Sequence, residues 1–373
     1  MKDIPFRKAE YGKQERTPAR KVDGFDPRDD DDQRMLVGTR EIFLSTLQTD
    51  HPDSGVLYFY DRVPLKAGMP SYDLKVAEQL LIYDGKSDAP ASAEFLDGLP
   101  LTDPLVVESI MSTRDALVCS EEQAACAERV SRDQANCTVW YQLHNGRITS
   151  SNFSKVFTRK PSTPPENLLK QLMGYGGHKS LSSPAINWGK KFEKTAQRAY
   201  VAAQRQQGHP GLFVSTSGLN IMVSHPYLAA STDGKVTDPS SEPAHGVLEI
   251  KCPYSINFTN ITSLKPAEIA AQFPGKFCLV VVNGKAMLDR KHPYYVQVHG
   301  EMAVCNVVWC DFVLWTKAGI FVERIHFDMQ FWKSVFASLN NFFDHALLPE
   351  IVLRRVQRGL KLDGSGVVDA TDY

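Results

Sequence analysis

The sequence predicts an α/β (α+β) fold in which a central mixed β-sheet is flanked by helices, with an N-terminal extension before it. Trp188, Phe192 and Ala196 recur at helical spacing within residues 184–208, a segment that ends at a glycine. Strand-like apolar runs follow at residues 212–216, 219–231 and 246–253, and after a helical segment at residues 293–306 come two more, at 307–316 and 320–328. Helix, strands, helix and strands in this order indicate a mixed sheet between helices.

The composition is that of a globular protein. A chain of 373 residues that is 43% hydrophobic and 23% charged can bury a substantial core. The basic N-terminus lacks the apolar stretch of a signal peptide, and no apolar run is long enough to span a bilayer. We therefore expect a soluble, non-secreted intracellular protein of the cytoplasm or nucleus that does not bind membranes. Seven scattered cysteines match neither a zinc pattern nor a disulfide framework, which favours free thiols.

Proline, glycine and charged residues divide the chain into four parts. Residues 1–34 are predicted to be a flexible charged tail, and residues 35–118 an N-terminal region of unknown role that contains a linker at residues 85–92. Residues 119–355 form the main domain, and residues 356–373 a frayed C-terminal tail.

Start and stop signals predict three further features of the main domain. Ser120 and Gly146 bound a predicted helix. The pair Asn283-Gly284 predicts a β-hairpin turn. An amphipathic pattern at residues 331–355 predicts a C-terminal helix.

Positive charge is concentrated in one segment, although the whole chain has a net charge of −1. Residues 147–200 hold ten Lys or Arg against two Glu, which leaves +8. A segment of this charge can neutralise several phosphates of a nucleic acid. The alternative is a basic face that only contacts solvent.

A carboxylate and a lysine lie two positions apart in the apolar run VLEIKCP. Because side chains alternate along a strand, Glu249 and Lys251 point to the same face. Taken alone, such a pair is more often a solvent-facing ion pair. However, Asp233 lies in the turn signal ASTDGKV, sixteen positions before Glu249. The two carboxylates can converge on one hard cation, beside which the lysine can orient water and stabilise charge on a phosphoryl group.

Five motifs extend this pattern between residues 140 and 304: WYQLHNGRITSSNF, WGKKFEKTAQRAY, STDG, LEIKCPY and YYVQVHGEMAV. In this ordered series the sequence resembles the lambda-type exonuclease, or YqaJ viral recombinase, family of the PD-(D/E)xK nucleases, which have a restriction-endonuclease-like core. The resemblance implies that residues 119–355 are a metal-dependent deoxyribonuclease, with Mg²⁺ as the ion and Mn²⁺ as a substitute. It also implies 5′ to 3′ degradation of one strand of duplex DNA from a 5′-phosphorylated end. A role in DNA recombination or repair, a homotrimer and a single-strand annealing partner are further implications.

The resemblance assigns roles at the metal site residue by residue. Asp233 and Glu249 would be the metal carboxylates, and the backbone carbonyl of Ile250 a further ligand. Lys251 would be the catalytic lysine. Glu193, in WGKKFE, would be the helical acid that helps to hold metal and water.

Further roles concern the nucleophile and the DNA. Gln297 would position the lysine or the nucleophile from the following helix. Ser151 would contact the terminal 5′ phosphate, and Ile186 would separate the last base pair as an apolar wedge. Lys190 and Lys191, within the +8 segment, would contact the DNA.

The sequence departs from the family pattern at three positions. His144 stands where relatives carry an arginine that clamps the 5′ phosphate, and we expect either His144 or Arg147 to replace it. A plain surface histidine is the alternative for His144. Thr232 replaces the proline of S-P-D-G, which should leave the turn intact, and His299 replaces the second glutamine of a common Q-x-Q.

Two other functions are compatible with parts of this pattern. A structure-specific endonuclease of the same superfamily needs the same Asp, Glu and Lys but no 5′-phosphate pocket. A catalytically inactive DNA-binding recombination protein needs no carboxylates that face phosphates. The presence of all four residues argues against it: Glu193, Asp233, Glu249 and Lys251.

Overall fold

The structure of the chain, a computed structural model, describes residues 71–83, 91–176, 183–255, 264–275 and 277–365. The charged tail predicted at residues 1–34 and residues 85–90 of the predicted linker lie outside these ranges. All seven cysteines lie within them and are free thiols, as predicted. None of the helices in these ranges combines the length and apolar character that a membrane span requires.

The helices are α1 (Ser71–Glu78), α2 (Ala91–Phe95), α3 (Pro104–Ala116), α4 (Glu121–Val130), α5 (Thr138–His144), α6 (Ser150–Phe157), α7 (Glu166–Met173), α8 (Pro184–Gln206), α9 (Pro266–Gln272), α10 (Pro293–Val304), α11 (Met329–Phe342) and α12 (Leu348–Leu353). The strands are β1 (Ile148–Thr149), β2 (Phe213–Ser215), β3 (Leu219–Ile221), β4 (Leu228–Ser231), β5 (Gly234–Thr237), β6 (His245–Lys251), β7 (Leu279–Val282), β8 (Lys285–Leu288), β9 (Trp309–Thr316) and β10 (Gly319–His326).

The largest sheet has five strands in the order β10-β9-β6-β5-β2. Strands β6 and β9 are parallel, and the other neighbours in this sheet are antiparallel, so the sheet is mixed. A smaller sheet has the order β1-β4-β3. Strands β7 and β8 pair as the predicted hairpin, with Asn283 and Gly284 both at positive φ.

Strand β6 separates two apolar cores, one on each face of the large sheet. Leu248 and Ile250 share a core with Tyr200 of α8. Val247 shares the other core with Val298 of α10. Helices therefore cover both faces of the mixed sheet, and the predicted fold class is confirmed.

The single helix predicted from residue 120 to 146 is wrong, because two helices and a short 3₁₀ turn occupy this stretch. The Ser131 hydroxyl donates to the Ala127 carbonyl at 2.6 Å and accepts from the Leu219 N–H at 2.7 Å. Gln134 has a φ of 44° and its side-chain amide donates to the Ser217 carbonyl at 2.9 Å. These contacts to the segment around β3 replace the hydrogen bonds that would continue the helix.

The C-terminal helix starts at Met329 and is interrupted by a π-helical turn over Phe343–Leu347 before α12. The packed structure continues past residue 355, where the sequence indicated a tail. Arg355 is 0% exposed and Leu362 is 5% exposed, so both belong to the core.

Candidate active site

Glu249 and Lys251 lie at the C-terminal end of β6, on the face that turns toward α10. The Lys251 ammonium donates to Glu249 Oε1, and only 2% of Glu249 is exposed. The same ammonium lies 4.7 Å from the ring centroid of Tyr294 on α10. The pair is therefore enclosed, unlike the solvent-facing ion pair that the sequence left open.

Asp233 is attached to β6 by both its backbone and its side chain. Its N–H donates to the Leu248 carbonyl at 3.0 Å, and its Oδ2 accepts from the Ile250 N–H at 2.6 Å. The next residue, Gly234, packs closely against β2, because a Cβ there would lie 2.3 Å from Val214 Cγ1. The Asp-Gly pair joins β4 to β5 as predicted. The glycine is required there by close packing and not by a left-handed backbone conformation.

Negative charge exceeds positive charge at this site. Burial raises the pKa of Glu193 on α8, and the charge of Glu249 adds to this effect. Burial also raises the pKa of Asp233 well above its ordinary value, with further contributions from Glu249 and Glu193. Burial alone would lower the pKa of Lys251, but the charges of Glu249 and Asp233 outweigh it and raise that pKa. Three carboxylates thus share the enclosed part of the site with one ammonium, while the exposed Lys194 and Lys190 act on Glu193 from outside.

Gln297 extends the site along α10. Its Nε2 donates to Glu249 Oε1 at 2.7 Å and to Glu301 Oε1 at 2.9 Å. Glu301 is 0% exposed and its Oε1 also accepts from the Ser150 hydroxyl at 3.3 Å. Burial, followed by the charge of Glu249, raises the pKa of Glu301 well above its ordinary value.

The donor chemistry of the site fits a divalent cation. Carboxylates of Asp233, Glu249 and Glu193 are hard oxygen ligands, and the raised pKa values of two of them indicate a deficit of positive charge. Within the described ranges, no group of three or more His, Cys, Asp or Glu side chains is positioned to hold a metal ion. Glu249 Oε1 accepts from both Lys251 and Gln297, so a metal held through this oxygen would compete with these two donors.

Residues 139–308 match the family model of the YqaJ-like viral recombinase domain. The match spans β6, α8 and α10 and so includes the whole carboxylate site. This part of the chain is therefore similar to a YqaJ-like viral recombinase domain. The predicted resemblance to the YqaJ viral recombinase family is confirmed for these residues. The matched segment, called the recombinase domain below, covers less than half of the chain and leaves α1 to α4, β9, β10, α11 and α12 outside.

Several solved structures resemble the chain, and no curated protein matches it. The alkaline exonuclease LHK-Exo from Laribacter hongkongensis is 23% identical, with a TM-score of 0.42, and the alignment covers 57% of this chain and 93% of that one. The KSHV SOX protein in complex with RNA is 13% identical, with a TM-score of 0.45, over 83% of this chain and 94% of that one. A phage related exonuclease from Haemophilus somnus is 13% identical, with a TM-score of 0.32, over 53% and 93%. The domain assignment rests on the family match and not on these structures.

Ser151, predicted to contact a 5′ phosphate, lies exposed in the first turn of α6. Its hydroxyl is 3.3 Å from Thr149 Oγ1, which also accepts from Asn152 Nδ2 at 3.1 Å. Lys155 is exposed one turn further along α6. The neighbouring Ser150 points inward to Glu301, so the start of α6 connects solvent to the carboxylate site.

Arg147 does not belong to a phosphate pocket, and this prediction is wrong. Its side chain is 1% exposed, and its guanidinium donates to the carbonyls of Pro226 at 2.8 Å, Leu143 at 2.6 Å and Leu80. Burial lowers the pKa of Arg147 to about 10. Arg147 therefore holds together three backbone segments, one of which, at Leu80, lies outside the recombinase domain.

His144 is half-buried at the end of α5. Its Nδ1 lies 2.6 Å from the Trp140 carbonyl oxygen, and the centroids of the two rings are 3.8 Å apart. The substitution of His144 for a clamping arginine stays a prediction.

The residues predicted to contact DNA on α8 are exposed. Ile186 is 38% exposed in the first turn of α8, and Lys190 and Lys191 are also exposed. Lys190, Lys194 and Arg198 recur every four residues and form one exposed basic stripe. Their contact with DNA stays a prediction.

Two site residues, Glu301 and Tyr294, are absent from the sequence-based prediction. Both lie on α10 at helical spacing from Gln297, four positions after and three positions before it. Because residues at this spacing share a helix face, the position of Gln297 could have indicated them.

Proposed function

We propose that the protein is a metal-dependent DNA exonuclease that hydrolyses phosphodiester bonds of duplex DNA, in the 5′ to 3′ direction from a 5′-phosphorylated end. The supporting observation is the convergence of Asp233, Glu249 and Lys251 at the end of β6, inside a YqaJ-like viral recombinase domain. Mg²⁺ is the proposed ion, with Mn²⁺ as a substitute. DNA recombination or repair is the proposed setting, with a homotrimer and a single-strand annealing protein as proposed assemblies.

Each residue of the site has a distinct proposed role. Asp233, Glu249 and the Ile250 carbonyl would hold the ion, with Glu193 as a further acid; when bound, the ion supplies Lewis-acid stabilisation of phosphoryl charge. The Lys251 ammonium, beside Glu249, orients the attacking water and stabilises charge on the phosphoryl oxygens. Hydrolysis adds this water across one P–O bond of the backbone and breaks that bond.

Gln297 and the DNA-facing residues complete the proposal. Gln297 holds Glu249 in place through its 2.7 Å hydrogen bond. Ser151 and the start of α6 would bind the 5′ phosphate, with His144 as a further contact. Ile186 would separate the terminal base pair, and Lys190 and Lys191 would contact the backbone.

The test compares 5′-labelled linear duplex with covalently closed circular duplex, each with Mg²⁺ or with EDTA. An exonuclease degrades the linear duplex only, and only with the metal. Cleavage of the closed circle would show the endonuclease alternative, and binding without cleavage of either substrate would show an inactive DNA-binding protein.

Asp233→Ala and Glu249→Ala should each reduce cleavage by about 10³-fold, the effect of losing a main source of transition-state stabilisation. Affinity for duplex should be unchanged or higher, because removal of a carboxylate reduces repulsion of phosphates. Glu121→Ala, which removes an exposed acid on α4, is the control. Wild-type cleavage rates in either site variant would contradict the assignment of the metal carboxylates.

A further inference from the structure

Glu301 is a buried acid for which the proposed reaction has no role. It lies on α10, is 0% exposed and accepts hydrogen bonds at Oε1 from Gln297 Nε2 at 2.9 Å and Ser150 Oγ at 3.3 Å. Its second oxygen, Oε2, is buried and has no hydrogen-bond partner among the described residues. An acid in this position is destabilising, since burial of an incompletely bonded carboxylate is unfavourable relative to an apolar side chain of similar size. A leucine would therefore serve the packing of α10 better than this glutamate.

The contact with Gln297 determines how the Gln297 amide is oriented. An amide NH₂ group has two protons, and the Nε2 of Gln297 directs them to Glu249 and to Glu301. With two carboxylates as acceptors, the amide cannot rotate by half a turn without placing its own oxygen against them. Without Glu301, the amide loses one of its two hydrogen bonds. It can then adopt orientations in which it no longer donates to Glu249.

The contact with Ser150 connects the same group to α6. Ser150 is 2% exposed and directly precedes Ser151, the exposed residue of the proposed 5′-phosphate contact. A continuous series of hydrogen bonds thus runs from Ser150 through Glu301 and Gln297 to Glu249, which binds Lys251.

We propose that Glu301 is a positioning residue for the nuclease reaction, which fixes the Gln297 amide against Glu249 and ties the Glu249–Lys251 pair to the start of α6. This inference rests on the proposed function and deepens it. The role of Glu301 is that of an acceptor acting through Gln297. Glutamine at position 301 retains a carbonyl oxygen that can accept both hydrogen bonds, whereas leucine retains only the volume.

The first test compares Glu301→Leu with Glu301→Gln, with kcat and KM measured on linear duplex and thermal unfolding measured in parallel. Glu301→Leu should lower kcat by about 10–100-fold, the range for loss of an outer-shell partner, with little change in KM. Glu301→Gln should recover most of that loss. Glu350→Leu is the matched control, since Glu350 is also 0% exposed and hydrogen-bonded, by Tyr175 at 2.7 Å and the Val356 N–H at 3.0 Å, but lies outside the site. It should keep the wild-type kcat whatever its effect on stability.

A double-mutant cycle then tests whether Glu301 acts through Gln297. If it does, Glu301→Leu should add little to the loss already caused by Gln297→Ala, so the two effects should be strongly non-additive. Additive effects, an unchanged kcat in Glu301→Leu, or an equal loss in Glu301→Gln and Glu301→Leu would each overturn the inference. An inactive wild-type protein would count against the proposed function instead, so the two failures are distinguishable.

Discussion

Two groups of buried and half-buried carboxylates lie at the large sheet and differ in how their charge is balanced. The first, here called the acid cluster, consists of Glu193, Asp233, Glu249 and Glu301 with Lys251. The second, here called the arginine cluster, consists of Asp238 and Asp311 with Arg324, Tyr200 and His209. Both aspartates of the arginine cluster are 0% exposed, so burial alone does not distinguish the two groups.

In the arginine cluster, one guanidinium contacts both carboxylates, and each carboxylate accepts further hydrogen bonds. Arg324 binds both oxygens of Asp311 at 2.8 and 2.9 Å and reaches Asp238 at 3.2 Å. Burial raises the pKa of Asp238, but hydrogen bonds from Ser241, Ser240 and Arg324 outweigh it, so the pKa is lowered overall. In the acid cluster, burial and neighbouring acids raise the pKa of Asp233, Glu193 and Glu301. The uncompensated negative charge, rather than burial, distinguishes the candidate active site from a structural ion network.

The largest effect on stability should come from Arg324→Met, which leaves two buried aspartates without their cation. We expect the free energy of unfolding to fall by about 3–5 kcal/mol, as for the loss of one partner of a buried ion pair. Urea unfolding measures this loss, and cleavage by the folded fraction should be unchanged. A decrease below about 1 kcal/mol, the value for an exposed pair, would show that the arginine cluster is not the balanced structural network described above.

The opposite sign is expected in the acid cluster. Asp233→Asn should raise the free energy of unfolding of the metal-free protein by about 1 kcal/mol, because it removes one of several repelling charges while a side-chain oxygen can still accept from the Ile250 N–H. Unfolding is measured in EDTA, and cleavage with Mg²⁺ should be lost. A less stable variant would mean that the acids of the site do not repel one another.

The smallest effect is a difference in pH dependence. Because the pKa of Asp238 is lowered in the folded state, its contribution to stability is present above the ordinary value of 3.8 and is lost as the pH falls through the folded pKa. The difference in free energy of unfolding between wild type and Asp238→Asn should therefore shrink as the pH falls from about 5 to about 2. A difference that stays constant over this range would contradict the lowered pKa.

Glu350→Gln provides a control of opposite sign. Burial raises the pKa of Glu350, so the wild type loses stability relative to the Gln variant as the pH rises above the ordinary value of 4.5. Unfolding of the two proteins at matched pH values measures this divergence, and parallel profiles would show that Glu350 titrates normally.

The sheet and the centre of the site could be predicted because they depend on local patterns. Alternation along VLEIKCP places Glu249 and Lys251 on one face of a strand. An Asp-Gly pair joins the two preceding strands, so the sequence places Asp233 at the end of a neighbouring strand, close to Glu249. Helices α8 and α10 could be predicted as well, because their patterns are also local in sequence.

The errors concern contacts between segments distant in sequence. Arg147 was expected to face a phosphate, but it binds carbonyls of Leu80 and Pro226 that only the fold brings near it. The helix break at Ser131 depends on its hydrogen bond with Leu219. A single sequence does not contain these pairings, because any buried backbone carbonyl can accept from an arginine or a hydroxyl.

The attachment of Asp233 to β6 has a consequence for how the site could be switched off. Two hydrogen bonds join this residue to the backbone of Leu248 and Ile250, next to Glu249. The positions of the Asp233 and Glu249 carboxylates therefore depend on each other. A small separation of β5 from β6 would move them apart, although each strand could keep most of its own structure. In the proposed nuclease, an event that separates these two strands would stop cleavage without altering the exposed residues of α8 that are proposed to contact DNA.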